Sequence, residues 1–254
     1  MRTDVIRKAK SLIGKDFETR SCGKCFVIDY KGNTDVTVMF YKPVAVVKCM
    51  LQHLKRGAVK NPLLPSVYGK GYYGVGKYTA NDVKVYKMWI RILERCYDET
   101  FKEKQPAYNG VTVCKEWLDF QVFAEWCVNQ THFYSKDLTG KSYHLDKDIL
   151  VKGSKIYSPE TCCFVPHDVN VLFTSNKVNR SELGIGVHKT VSRSRYKSSI
   201  HNKYLGRFDT PEEAFQAYKE VKESHVKEVA EKWKNKIDDK TYQALMKWEV
   251  NTDD

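Results

Sequence analysis

The chain has 254 residues, 42% of them hydrophobic and 29% charged, with 16 Tyr, 11 Phe and 5 Trp. That is enough apolar and aromatic material for packed cores, which excludes a disordered or collagen-like chain, and at about 150 residues per domain it suggests two or three small domains. Lys and Arg exceed Asp and Glu by 43 to 31, a formal net charge of +12.

The excess is uneven. Residues 1–80 carry 15 basic and 5 acidic side chains, whereas 81–180 and 181–254 each carry 14 and 13. A basic lobe beside two near-neutral ones points to a polyanion, because each phosphate that a cation neutralises releases a counterion. The plain alternative is charge that serves solubility. No apolar run approaches the roughly 18 residues of a membrane-spanning helix, and the N-terminus lacks the apolar core of a secretory signal. The expectation is a soluble, unexported protein with no membrane partner.

Residues 1–80 read as a small basic β module. A short basic helix at about 3–13 precedes the strands Phe26–Tyr30 and Val36–Phe40, joined by a turn at Lys31-Gly32-Asn33. A small β-barrel is expected here. Cys22 and Cys25 form the only C-x-x-C. With no second pair at zinc-finger spacing, they read as part of a hairpin turn, so zinc is not expected. The segment 57–78, rich in Gly, Pro and Tyr, suggests a rigid irregular loop. Its glycine spacing matches no dinucleotide-binding fingerprint, because no helix follows directly.

Residues 81–180 form the second expected domain, helical at first. Tyr86, Trp89, Ile90, Leu93 and Tyr97 recur at helical spacing, as do Trp117, Phe120, Phe123, Ala124 and Val128. Such aromatic stripes are packing faces. Val111–Val113 fits a short strand. A strand from Tyr143 to Leu150 is then followed by a turn at Lys152-Gly153 and a second strand ending near Tyr157. Ser158-Pro159-Glu160 has the grammar of a helix start, with Ser as N-cap and Pro at the first position.

Residues 181–254 are the third expected domain. Gly186–Val191, Tyr196–Ile200 and Lys203–Phe208 alternate as three strands. Thr210 and Pro211 then open a helix with Ala214, Tyr218, Val221 and His225 on one face. Lys189, Arg193, Arg195, Lys197, Lys203 and Arg207 lie in a stretch, 185–208, that has no acid. Side chains alternate along a strand, so Arg193, Arg195 and Lys197 share one face and Tyr196, Ser198 and Ile200 the other. With the apolar members turned to the helix, the basic row faces outward. An ordinary solvated sheet face is the competing reading. No heptad pattern argues for a dimer, and the sequence leaves the oligomeric state open.

The strings GVHKTVSRSRYKSSI and YLGRFDTPEEAFQAY resemble the ERF-type (plant ethylene-response-factor) DNA-binding domain over about 185–226. That likeness implies double-stranded DNA bound on the three-stranded sheet, through Lys189, Arg193, Arg195, Lys197 and Arg207. The middle string L-D-K-D-I-L followed by Y-S-P-E-T-C-C-F-V-P is similar to the divergent HNH (ββα-metal) nucleases of phages. Including YKMWIRILERCYD and VCKEWLDFQVFAEW upstream, that likeness covers roughly 84–173.

It implies a homing-type endonuclease that hydrolyses DNA phosphodiesters with Mg²⁺ or Mn²⁺, in the cytoplasm of a bacterial host if phage-encoded. In such a site a base on the first strand activates water. A divalent ion is held by an acid near that strand and by Asn or His from the helix. Asp146 matches the strand carboxylate. Lys147 stands at the usual position of the base, and Thr161 stands where the helix Asn is expected. On a regular strand His144, Asp146 and Asp148 share one face, so His144 could serve as base, with Asp146, Asp148 and Glu160 as metal ligands. The plainer alternatives are aspartates paired with neighbouring lysines, and a Glu160 that merely complements a helix N-terminus. The expected architecture is α+β: the small β module, a helical plus ββα-metal core, and a C-terminal three-stranded antiparallel sheet packed on a helix. Its rivals are a catalytically inactive DNA-binding regulatory or architectural protein, and a factor whose basic lobe meets an acidic protein.

Overall fold

The computed structural model describes residues 2–173, 183–190, 195–200 and 203–252. The chain is mixed α+β and divides into two compact units, Met1–Glu125 and Trp126–Asp254. No helix among the described residues is long and apolar enough to cross a membrane.

In the first unit, α1 (Arg2–Leu12) leads into a meander of β1 (Asp16–Glu18), β2 (Lys24–Gly32), β3 (Asp35–Tyr41) and β4 (Val44–Cys49). The alternation that predicted two strands extends over four. Cys25 and Val27, then Val36, Val38 and Phe40, face inward and are fully buried. Helix α2 (Leu51–Lys55) adds Leu51 and Leu54 to that core, and α1 packs Val5, Ala9 and Leu12 against it. Among the described residues β1 and β4 each have a single neighbour, so the sheet is open and the expected barrel is not formed. β1 offers only three residues, Asp16–Glu18, and these pair with Lys24–Phe26 of β2. Cys25 lies in this core, where burial pushes its thiol up to about 11.

Helix α3 (Val83–Tyr97) follows, then α4 (Glu99–Lys104), the short β5 (Thr112–Val113) and α5 (Phe120–Val128). Trp89 is fully buried and donates its indole N–H to the carbonyl of Trp117 at 2.8 Å. The loop between the sheet and α3 is irregular, as its composition suggests, and is tied to Gln121 of α5. The Gln121 amide donates to the carbonyls of Tyr73 and Tyr78 at 3.1 and 3.0 Å and accepts from the Tyr78 N–H at 2.9 Å.

In the second unit, β6 (His144–Asp146), β7 (Ile156–Tyr157) and β8 (Cys163–Val165) precede the single turn of α6 (His167–Asn170). The C-terminal sheet has the order β11-β10-β9, built from β9 (Val187–Lys189), β10 (Tyr196–Ile200) and β11 (Lys203–Phe208). Both pairings are antiparallel. Helix α7 (Pro211–Trp233) backs this sheet and α8 (Asp239–Met246) follows. The predicted cap is present in full: Thr210 Oγ1 accepts from the Glu213 N–H at 3.2 Å, and the Glu213 carboxylate accepts from the Thr210 N–H at 3.3 Å. At Gly186 (φ +75°) a Cβ would lie 2.0 Å from the Tyr218 ring, so only glycine lets the chain enter β9 this close to α7. Ile200, Tyr218 and Val250 form the buried layer under the sheet. Farther along α7, Val226, Ala230 and Trp233 share a second core with Ile149, Cys163, Val165, Val169 and Leu172.

Candidate nucleic-acid interface and acidic hairpin

The outward face of the C-terminal sheet is built by register. Lys197 of β10 stands opposite His188 of β9 and Arg207 of β11. One row across three strands therefore carries three basic or imidazole side chains, all exposed. A bulge follows Ser198, where Ser199 pairs with Tyr204. The shift sends Leu205 to the core and puts the Tyr204 ring, 53% exposed, outside, with the Lys197 ammonium 5.8 Å from its centroid. Val187, Ser198 and Ile200 are buried on the opposite face. The expected separation of polar and apolar faces is thus present.

Two basic residues differ from the simple alternation. Lys189 pairs with Tyr196 and shares the helix-side parity, reaching solvent only at the end of the three-residue β9. Arg195 precedes β10 and its Nε donates to the Asp209 carboxylate at 2.9 Å. Arg193 lies outside the described residues.

The acidic segment is arranged differently from a continuous strand. Strand β6 stops at Asp146 because that carboxylate accepts the N–H groups of Asp148 and Ile149, at 2.7 and 3.0 Å, and so closes a turn. Burial raises the carboxyl of Asp146 above its ordinary range, and the neighbouring Asp148 charge adds to the rise against the two backbone donors. Asp148, beyond the strand end, no longer shares the face of His144. Both of its oxygens accept from the Lys147 ammonium, at 2.7 and 2.8 Å.

Lys147 is buried. Its remaining contacts are the Ser154 carbonyl at 2.7 Å and the Tyr157 ring, whose centroid is 5.9 Å away. The expected pairing of aspartate with a neighbouring lysine is the one observed for Asp148.

Ser158-Pro159-Glu160 does not open a helix. Thr161 Oγ1 accepts from the Ser158 N–H at 3.1 Å and donates to the Ile156 carbonyl at 2.8 Å. This closes a turn that feeds β8 instead. Glu160 stays exposed, and the Ser158 hydroxyl holds its carboxyl below the usual range.

Strand β8 pairs antiparallel with β6, setting His144 opposite Val165 and Asp146 opposite Cys163. A strand–strand–helix sequence therefore exists, composed of β6, β8 and α6. The helix brings His167 to His144, with ring centroids 5.4 Å apart. Sequence reasoning missed His167 and placed the helix about eight residues early. The available signal was Pro166, which takes the N-cap position of α6.

Mg²⁺ and Mn²⁺ require several oxygen ligands that converge on one point. Asp146 is committed to backbone amides, Asp148 to Lys147, and Glu160 sits on an exposed turn. Among the described residues no three His, Cys, Asp or Glu side chains gather closely enough to hold a metal ion. As arranged, these carboxylates do not fit a hard divalent cation.

Comparison with known proteins adds no assignment: no family model, curated protein or solved structure matches the chain.

Proposed function

We propose that the chain is a duplex-DNA-binding protein that lays the outward face of β9–β11 on its target. The observation that carries this reading is the cross-strand row His188–Lys197–Arg207, flanked by exposed Tyr204, on a rigid sheet backed by α7. Lys and Arg neutralise phosphates and Arg can pair with a guanine edge, while a strand ribbon is narrow enough for the major groove. The likeness to ERF-type domains over the same residues supports it.

The test is a titration of fluorescent duplex at several salt concentrations between about 50 and 200 mM. Affinity falls steeply across that range, and the Lys197→Gln/Arg207→Gln variant lowers the slope of log Kd against log salt by about 1.8, at about 0.9 per phosphate contact. Salt-independent affinity overturns the proposal.

A second reading, hydrolysis of the DNA phosphodiester, is favoured by one specific observation: β6, β8 and α6 bring His144 and His167 ring to ring. In that reading His144, exposed on β6, takes the proton from the attacking water. Conversion of supercoiled plasmid, with or without added Mg²⁺ or Mn²⁺ and lost in His144→Ala, supports it. Intact plasmid under all these conditions leaves the DNA-binding reading alone standing.

A further inference from the structure

The net charge of the first 80 residues is +10, and the fold distributes it unequally between the two ends of the sheet. At the end formed by the β2–β3 turn, the acids are matched. Asp29 pairs with Lys31 at 3.7 Å and Asp35 with Lys48 at 3.9 Å.

The opposite end gathers both other hairpin turns, 19–23 and 42–43, since Glu18 pairs with Lys24 and Tyr41 with Val44 across them. The chain leaving α2 crosses this same end. The Gly57 carbonyl accepts from the Arg20 N–H at 2.9 Å and the Arg56 carbonyl from Arg20 Nε at 3.1 Å. The Asn61 amide then donates to the Pro43 carbonyl at 2.8 Å. Gly57 (φ +64°) permits the crossing, because a Cβ there would stand 3.0 Å from the Glu18 carbonyl.

Arg20, Lys42, Arg56 and Lys60 are thereby drawn from three separate segments to one end, and all four are exposed. The acids nearby are Glu18, bound to Lys24 at 3.3 Å, and Asp16, which accepts the Tyr41 hydroxyl at 2.6 Å. Like charges so placed repel one another unless an anion screens them.

We propose that this end of the N-terminal sheet is a second anchor for the DNA backbone, separate from the C-terminal sheet. The inference rests on the DNA-binding reading and deepens it. Phosphate contacts at this end add to the salt dependence of binding independently of those on the C-terminal sheet. With no base-reading geometry, the site contributes equally on all sequences.

The test uses the full chain and a fluorescent duplex. The variant Arg20→Gln/Lys42→Gln/Arg56→Gln/Lys60→Gln is expected to lower the salt slope by about 3.6, and Lys42→Gln/Lys60→Gln alone by about 1.8. Lys42 and Lys60 are exposed and make no side-chain hydrogen bond or ion pair among the described residues, so the double variant remains informative if the quadruple one unfolds. Exchanging each Arg for Lys and each Lys for Arg is expected to keep the slope. Lys197→Gln/Arg207→Gln, measured in parallel, separates the two claims. If that variant loses slope while both N-terminal variants keep it, the second anchor is overturned and the DNA-binding reading stands. If wild-type protein shows no salt-dependent binding, both are overturned.

Discussion

Lys147 is the residue whose replacement tests most directly how the acidic hairpin is held. In Lys147→Met the stem is kept and the ammonium removed, so Asp148 loses both of its bonds and the Ser154 carbonyl loses its donor. Stripping one partner from a fully buried ion pair costs about 3–5 kcal/mol. Here the Asp148 side chain is 43% exposed and can take up water, which moves its share towards the ~0–1 kcal/mol of a surface pair. The carbonyl, left without its donor, adds about 1–3 kcal/mol. Together these give roughly 1–4 kcal/mol, a Tm lower by about 3–16 °C at the entropy of a unit of this size. Urea unfolding monitored by tryptophan fluorescence reads the change, and Lys147→Met/Asp148→Asn should recover part of it. If Lys147→Met unfolds at the wild-type midpoint, the ammonium does not hold the hairpin. Loss of DNA cutting at unchanged stability would give Lys147 the role of base instead.

Two further outcomes are expected. Because burial raises the Asp146 carboxyl in the folded state, its contribution is fully present below the unfolded pKa and is lost as pH rises through the folded one. Asp146→Asn keeps an oxygen for the Asp148 and Ile149 N–H groups without the charge. Its stability relative to wild type is therefore expected to climb as pH rises from about 3 and then level off; a difference that is flat in pH, or falls, refutes the assignment. Asp209→Asn releases Arg195 from its 2.9 Å pair and removes a negative charge from the edge of the basic face. Both partners are well exposed, so stability should shift by less than about 1 kcal/mol. Duplex affinity should rise, with a salt slope steeper by about 0.9, and an unchanged slope would mean Arg195 does not face the DNA.

The C-terminal sheet was legible because each of its determinants is local. Tyr196–Ile200 and Lys203–Phe208 form strands over the expected bounds, the alternation of Lys197 with Tyr196 and Ser198 assigns the faces, and Thr210-Pro211 with Glu213 fixes the start of α7. The bulge after Ser198 escaped notice, since the helix-facing side keeps its apolar count whether Tyr204 or Leu205 points inward. In the hairpin the same local rules gave the wrong element. L-D-K-D-I-L alternates like a strand, yet the Asp146 carboxylate satisfies two backbone donors that a strand would present to a neighbour. Ser158-Pro159 has the form of a helix cap, but Thr161 Oγ1 takes the Ser158 N–H and turns the chain towards β8. Pro166 marks the start of α6, but that His167 meets His144 follows only from pairing β6 with β8 across some twenty residues, a contact that no short-range pattern encodes.

That difference bears on how the two readings of function relate. Removing either partner of the Lys147–Asp148 pair unbalances the hairpin, whereas an added cation would have to displace an ammonium already bonded three times at 2.7–2.8 Å. The turn's shape is therefore fixed by the chain's own charges. The basic row on β9–β11 lies on the face of the sheet turned away from α7, while the Lys147 hairpin adjoins the core built on the far part of that helix, around Val226, Ala230 and Trp233. Nothing in either arrangement requires the other to be intact, beyond the helix they share. Under the proposed reading, the Lys197 and Arg207 variants are therefore expected to change the salt dependence of duplex binding, and the Lys147 and His144 variants to leave it as it is.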